Sequence, residues 1–171
     1  MKQTIYFYEG ETEKHLLDTL KANNIIVPGK AQKCNLWQKP VEKVTRRFGN
    51  KSDLVFIIDT DTTQPNNTFV NNIRHLLKIK ISFCLMIQIH NLEDELCFAC
   101  NKNNKTALYR DFYTCLSAAE FKSRFNKDNN LYQTLKRKQF HADRLWQRSH
   151  QFKGWLDSHG IQPIIKRKIF Y

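Results

Sequence analysis

Between Asp53 and Asp59 the chain runs Leu54-Val55-Phe56-Ile57-Ile58 with no polar interruption. A strand with one face in water alternates apolar and polar side chains. A short unbroken apolar run therefore predicts a strand buried on both faces, the habit of a parallel sheet. Parallel neighbours cannot be joined by tight hairpins, so helical crossovers must separate the strands. The sequence supplies them in alternation. Thr4-Ile5-Tyr6-Phe7-Tyr8 reads as a first strand ending at Glu9-Gly10, and His15, Leu16, Leu17 and Leu20 share one face of a following helix. Ile25-Ile26-Val27 is expected as a brief second strand closed by a turn at Pro28-Gly29, and residues 31–38 fit either an extended or an irregular path. Pro40 suits the first turn of a helix running to Phe48 and ending at Gly49-Asn50. Beyond the central strand, Phe69, Val70, Ile73, Leu76 and Leu77 mark a helix, residues 83–89 a further buried strand, and Leu92, Leu96 and Ala99 another helix. The order β-α-β-α-β-α-β-α implies an α/β fold with a mostly parallel sheet and right-handed crossovers.

After residue 100 the pattern changes to helices carrying basic residues, one at 118–125 and one or two within 131–155. A last strand is expected at 161–165, at a sheet edge because of Pro163. Charge divides at the same point. Residues 1–100 hold 13 Lys/Arg and 11 Asp/Glu, whereas residues 101–171 hold 15 and 5. The front part is read as a catalytic core (1–100) and the rest as a basic, mostly helical extension (101–171) packed on it. The whole chain carries a formal charge of +12, which attracts polyanions.

Several classes are set aside on composition. With only 5 Gly and 4 Pro, a glycine-rich phosphate loop and the dinucleotide fingerprint are absent. No apolar stretch approaches the ~18–20 residues that cross a bilayer. The first residues have no secretory layout, so a cytoplasmic protein without membrane association is expected. Five Cys, an odd number, suggest free thiols. The single C-x-x-C of Cys97 and Cys100 is a poor zinc signal and fits helix packing better.

In an open α/β sheet, sites form outside the carboxyl ends of the strands. Three acidic clusters fall there: Glu9 with Glu11 and Glu13, the pair Asp59 and Asp61, and Glu93, Asp94 and Glu95. Side chains two apart on an extended chain point to one side, so Asp59 and Asp61 can address one point while Thr60 faces away. Clustered carboxylates repel unless a cation sits among them, and Mg²⁺ (or Mn²⁺) accepts a few carboxylates while keeping waters and meeting phosphate oxygens. Ordinary structural roles compete with this. Glu11, Glu13 and Glu93 to Glu95 can serve helix N-termini, and either Asp can cap the next helix.

Tyr6-Phe7-Tyr8-Glu9-Gly10-Glu11-Thr12-Glu13, a strand followed by E-G-x-T-E, and Val55-Phe56-Ile57-Ile58-Asp59-Thr60-Asp61 resemble the Toprim family. The segment is most similar to the small nuclease-type members of the OLD and RloB-like groups, with Asn91-Leu92-Glu93-Asp94-Glu95-Leu96 in the place of their later acidic segment. The resemblance covers about residues 3–100. It implies a mainly parallel four-stranded sheet flanked by helices and Mg²⁺ chemistry on phosphodiesters. It also implies Glu9 as a metal-binding or acid/base residue, Asp59 and Asp61 as metal ligands, Glu13 as a second acid, and Glu93 or Glu95 as the later one. Small stand-alone relatives include RNA-processing and phage-defence nucleases, some working beside a separately encoded ATPase.

The expected function is thus metal-dependent hydrolysis of DNA or RNA, endonucleolytic ahead of exonucleolytic. Lys136, Arg137, Lys138, Arg144, Arg148, Lys166, Arg167 and Lys168 would bring in the nucleic acid. Phe140, Trp146, Phe152 and Trp155 interleave with these charges and could stack unpaired bases, although aromatics at such spacing usually belong to a core. The alternative is a non-catalytic module that keeps the fold and binds nucleic acid or a partner. A full acidic set argues against it, because a binder of polyanions gains nothing from clustered carboxylates.

Overall fold

The structure, a computed structural model, describes residues 2–48, 52–60, 64–148, 151–158 and 170. Asp61, Lys166, Arg167, Lys168, the helix end at Gly49-Asn50 and the strand expected at 161–165 lie outside the described residues.

Four strands, β1 (Gln3–Tyr8), β2 (Gly29–Lys33), β3 (Ser52–Asp59) and β4 (Ser82–Gln88), form one sheet in the order β2-β1-β3-β4. Every pairing between them is parallel. The apolar run of β3 explains its inner place: Leu54 to Ile58 are all buried, alternating between the two faces. Val55 and Ile57 join one core with Tyr6, Tyr8, Cys84 and Met86. Leu54, Phe56 and Ile58 join the other with Ile5, Phe7, Leu85 and Ile87.

Helices cover both faces, giving a three-layer α/β/α arrangement. The first face carries α1 (Glu11–Ala22), α4 (Leu92–Ala99), α5 (Lys105–Tyr113), α6 (Ala118–Lys127) and α7 (Leu131–Arg137), through residues such as Leu16, Leu96, Leu108, Phe121 and Leu135. The second carries the single-turn α2 (Glu42–Thr45), α3 (Asn67–Lys78) and α8 (Gln151–Ser158), through Val41, Phe69, Ile73, Phe152 and Leu156. The 101–158 segment therefore contributes to both layers. Among the described residues no helix is long and apolar enough to cross a membrane.

The helix expected from Pro40 to Phe48 shrinks to the single turn Glu42–Thr45, and two further segments depart from expectation. The second strand is Gly29–Lys33, not 25–27. Ile26 is fully buried and the Val27 carbonyl accepts the Tyr6 hydroxyl at 2.7 Å, so these apolar residues plug the core before the strand begins. The polar sequence of β2 suits a sheet edge, where one row of backbone groups and much of the side-chain surface are solvated. Gly29 is needed there because a Cβ would run into the Thr4 carbonyl of β1. The other departure is α5, in a stretch given no element by periodicity. Asn104 caps it, accepting from the Ala107 N–H at 2.9 Å, and Leu108, Tyr109 and Phe112 anchor it.

Candidate active site

The chain leaves β1 for β2 in one direction across the sheet and leaves β3 for β4 in the other. The strand order thus reverses between β1 and β3, and a crevice opens beyond their carboxyl ends. Glu9 follows β1 directly and Asp59 closes β3. Both line a cleft of about 560 Å³ together with Glu11, Glu13, Lys33, Cys34, Asn35, Gln38, Lys39, Lys122 and Asn126.

Each acid is held by identifiable local structure. Asn35, just past β2, donates from Nδ2 to Glu9 Oε2 at 2.5 Å, while its Oδ1 accepts the Trp37 N–H at 2.8 Å. One side chain thus shapes the loop and orients the carboxylate. Asp59 is set by the residue after it. Thr60 is buried and donates both its N–H (3.1 Å) and its hydroxyl (2.8 Å) to the Gln88 carbonyl of β4. Thr60 is therefore a clasp between two strand ends.

Glu13 lies in the first turn of α1 and is 9% exposed. Burial pushes its pKa upward, and the Glu93 carboxylate adds to that; the backbone N–H groups of Glu13 and Gly10 and the Lys122 ammonium pull the other way. Its nearness to the backbone depends on Gly10, since a Cβ there would stand 2.6 Å from Glu13 Oε2. Glu11 is exposed, 3.8 Å from Lys33 at the cleft margin.

The third acidic cluster separates into three roles. Glu93 is 3% exposed and pairs with Lys122 of α6 at 3.1 Å. Burial opposes the charge of Lys122, but the carboxylates of Glu93, Glu13 and Asp59 outweigh it and hold its pKa above the ordinary value. Asp94 meets Lys105 at 2.9 Å. Glu95 is fully buried and engaged by four donors: its Oε1 accepts the Ile89 N–H at 3.0 Å and two Arg148 nitrogens at 3.1 and 2.6 Å, and its Oε2 accepts the Trp146 N–H at 2.9 Å. A carboxylate has about four acceptor positions. Glu95 is thus spent on joining α4 to the segment after α7, while Glu93 belongs with Glu13 and Lys122.

The basic residues expected to receive nucleic acid are unequal. Arg148 is committed to Glu95, and Arg144 lies over the Phe98 ring at 4.3 Å and bonds to Asn101. Lys138 pairs with Asp111 at 3.0 Å, and Lys136 and Arg137 remain on the exposed side of α7. The aromatics of the same region face inward: Phe152 and Trp146 are buried, and Phe140 and Trp155 pack against the two cores.

Sequence reading passed over Asn35, Lys39 and Lys122. Lys122 sits far from the acids in sequence, and no local pattern signals its approach. Asn35 and Lys39 follow from topology once β2 is placed at its true position. Cys34 shares the cleft, and burial with the nearby Glu9 charge raises its pKa to about 11, so it stays a thiol. Cys97 and Cys100 are likewise buried thiols, raised to about 11 and about 12 by desolvation.

The donors in the cleft are carboxylate oxygens, hard ligands suited to Mg²⁺ or Mn²⁺. Among the described residues no three His, Cys, Asp or Glu side chains close into a ready cage for an ion. Mg²⁺ asks for less, since one or two carboxylates, its own waters and substrate phosphate oxygens complete its shell. The residues fit an ion held in that open manner. They do not fit one enclosed by protein. Comparison with protein-family models, with curated proteins and with solved structures returns no match.

Proposed function

We propose that this protein is a metal-dependent phosphodiesterase acting on nucleic acid, a nuclease of the Toprim kind. The observation that carries the proposal is the convergence of Glu9, Asp59 and Glu13 in one cleft at the switch point between β1 and β3. Structural duty explains an acid at one strand end. It does not explain three brought together from separate elements at the place where open α/β sheets bind their ligands.

Glu9 and Asp59 would hold Mg²⁺ or Mn²⁺, with Asp61 two residues beyond Asp59 and Glu13 and Glu93 available toward a second ion. Bound there, such an ion supplies Lewis-acid polarisation of the phosphate and a more acidic coordinated water. The chain's own residues do the rest. Asn35 and Thr60 fix the two principal carboxylates, so little reorganisation is needed when substrate arrives. Lys122 places a positive charge beside the acids, where it can face a phosphate oxygen as negative charge grows on it. Where Glu13 holds no ion, its buried carboxyl would suit proton exchange with the attacking water or the departing ester oxygen. Water oxygen bonds to phosphorus and gives up a proton, the ester P–O bond breaks, and the leaving oxygen takes a proton in its place.

A second reading has one observation in its favour. Lys122 already supplies a cation to Glu93 and neighbours, as a non-catalytic module would need. The two separate on incubation of the full-length protein with labelled single-stranded DNA, duplex DNA and structured RNA in Mg²⁺, Mn²⁺ or EDTA. Metal-dependent cleavage of any of them supports the nuclease. Salt-sensitive binding with no cleavage in either metal supports the binding module.

A further inference from the structure

The C-terminal extension spends much of its positive charge inside the protein. Three of the extension's cations neutralise α4: Lys105 with Asp94, Lys122 with Glu93 and Arg148 with Glu95. Part of its excess charge is therefore internal counter-charge, and of these three cations Lys122 alone also borders the cleft.

The other wall of the cleft behaves differently. Residues 29–48 carry six Lys/Arg against one acid, Glu42, and that acid is occupied by Arg46 at 2.7 Å. Lys33 and Lys39 line the cleft itself. Lys43 of α2 and Arg47, two residues past its end, are both exposed, while Val41 and Thr45 are buried. Among the described residues Lys39, Lys43 and Arg47 make no ion pair. The loop that presents them is rigid: buried Asn72 of α3 donates to the Leu36 and Lys39 carbonyls at 2.7 and 2.8 Å and accepts the Val41 N–H at 2.8 Å. Exposed cations that begin in the carboxylate cleft and continue along the chain through α2 suit a polyanion that extends past the reacting phosphate.

The same surface says how that polyanion is read. The aromatics of this segment face inward, Trp37 stacked on Phe69 at 4.3 Å and Phe48 against the Phe7 ring at 6.0 Å. Among the described residues the exposed large apolar side chains are Leu77 and Leu116, neither of them aromatic. Binding of unpaired strands leans on rings that stack bases, whereas a duplex hides its bases and offers phosphates.

Resting on the nuclease reading above, we propose that the β2–α2 rim, through Lys33, Lys39, Lys43 and Arg47, is the track for the phosphate backbone of a double-stranded nucleic acid, bound without regard to sequence. The test is fluorescence anisotropy of the full-length protein with DNA and RNA duplexes and their single strands, across a NaCl series in EDTA. Affinity is expected to favour a duplex, with the DNA and RNA arms naming which. In Lys39→Gln/Lys43→Gln/Arg47→Gln the slope of log affinity against log salt should flatten by about 0.9 per residue removed. Affinity at 0.1 M NaCl should fall by roughly 10-fold or more. Lys136→Gln/Arg137→Gln on α7, cations the sequence offers for binding but which are not among the cleft-lining residues, should lower both by less than the rim variant does. A rim variant that binds like wild type, or single strands preferred over both duplexes, would overturn the proposal. All five substitutions are at exposed positions, so circular dichroism and Tm should be unchanged. Because binding is read in EDTA, failure of the rim and failure of the nuclease reading show up in different assays.

Discussion

The proposed site depends on small residues as well as on its acids. Gly10 has an ordinary extended backbone (φ −127°), so alanine there causes no backbone strain. Its Cβ would instead displace the Glu13 carboxylate. Gly10→Ala is expected to leave Tm within a few degrees while metal-dependent cleavage drops by up to about 100-fold, the scale of loss from a misplaced catalytic group. Equal losses of stability and activity would show that Gly10 serves the helix alone. Glu93 and Glu95 provide the sharper residue-scale comparison. Glu93→Gln should impair cleavage strongly with a modest change in Tm. Glu95→Gln keeps the shape but presents an amide NH₂ to backbone N–H and guanidinium donors. It should lower Tm clearly while leaving metal-dependent cleavage measurable below the transition. The opposite pattern would return Glu95 to the catalytic set. Sequence alone could not separate the two, since both lie in one helical turn; what differs is the partner each meets, Lys122 or Arg148, from distant parts of the chain.

At the scale of elements, periodicity served where burial is two-sided or one face of a helix is apolar. β1, β3, β4, α1, α3 and α4 were legible for that reason. β2 was not, because an edge strand needs no apolar run and the nearby Ile25-Ile26-Val27 carries a stronger signal for a different task, plugging the core. α5 was missed because its buried residues, Leu108, Tyr109 and Phe112, are few and flanked by charge. The clasp between α4 and the segment after α7 is the element contact with the largest expected cost. Arg148→Met leaves the fully buried Glu95 carboxylate without its counter-charge, and breaking such a pair costs about 3–5 kcal/mol. Urea unfolding should show a lower midpoint with an unchanged m-value; a loss of stability below about 1 kcal/mol would mark the pair as an ordinary surface contact. α8 is fastened by a different device, the Phe152 ring set against Phe69 at 5.3 Å and Trp37 at 5.7 Å.

Across the whole molecule, the charge asymmetry reads differently once the fold is known. The basic extension looks from sequence like the nucleic-acid arm, yet several of its cations close ion pairs within the protein. The Asp111 carboxylate of α5 illustrates this, lying 2.8 Å from Lys102 and 3.0 Å from Lys138. Its hydrogen bond to Lys102, aided by Lys138 and opposed by partial burial, lowers its pKa from the usual 3.8. A carboxyl more acidic when folded stabilises the protein above its unfolded pKa and loses that contribution as pH falls through the folded one. Asp111→Asn should therefore be less stable than wild type at pH 6, by about 1 kcal/mol or less for so exposed a cluster, and the two should converge as pH falls below 3.8. A difference that persists unchanged in acid would mean that the group acts through packing. The α/β class and the order of its elements were open to sequence reading because burial imprints itself on pattern. The cationic rim of the cleft was not, because exposed lysines look alike until the strand ends are placed.

The central claim is that the carboxylates at the β1–β3 switch point perform metal-dependent hydrolysis. Its most direct test is the cleavage rate of wild type and Asp59→Asn, purified in parallel, on the same labelled nucleic acid with Mg²⁺ and with EDTA. Wild type is expected to cleave in a manner that EDTA abolishes, and the variant to lose at least about 100-fold, with Tm and salt-dependent binding retained. Cleavage that persists in both EDTA and Asp59→Asn would contradict the claim.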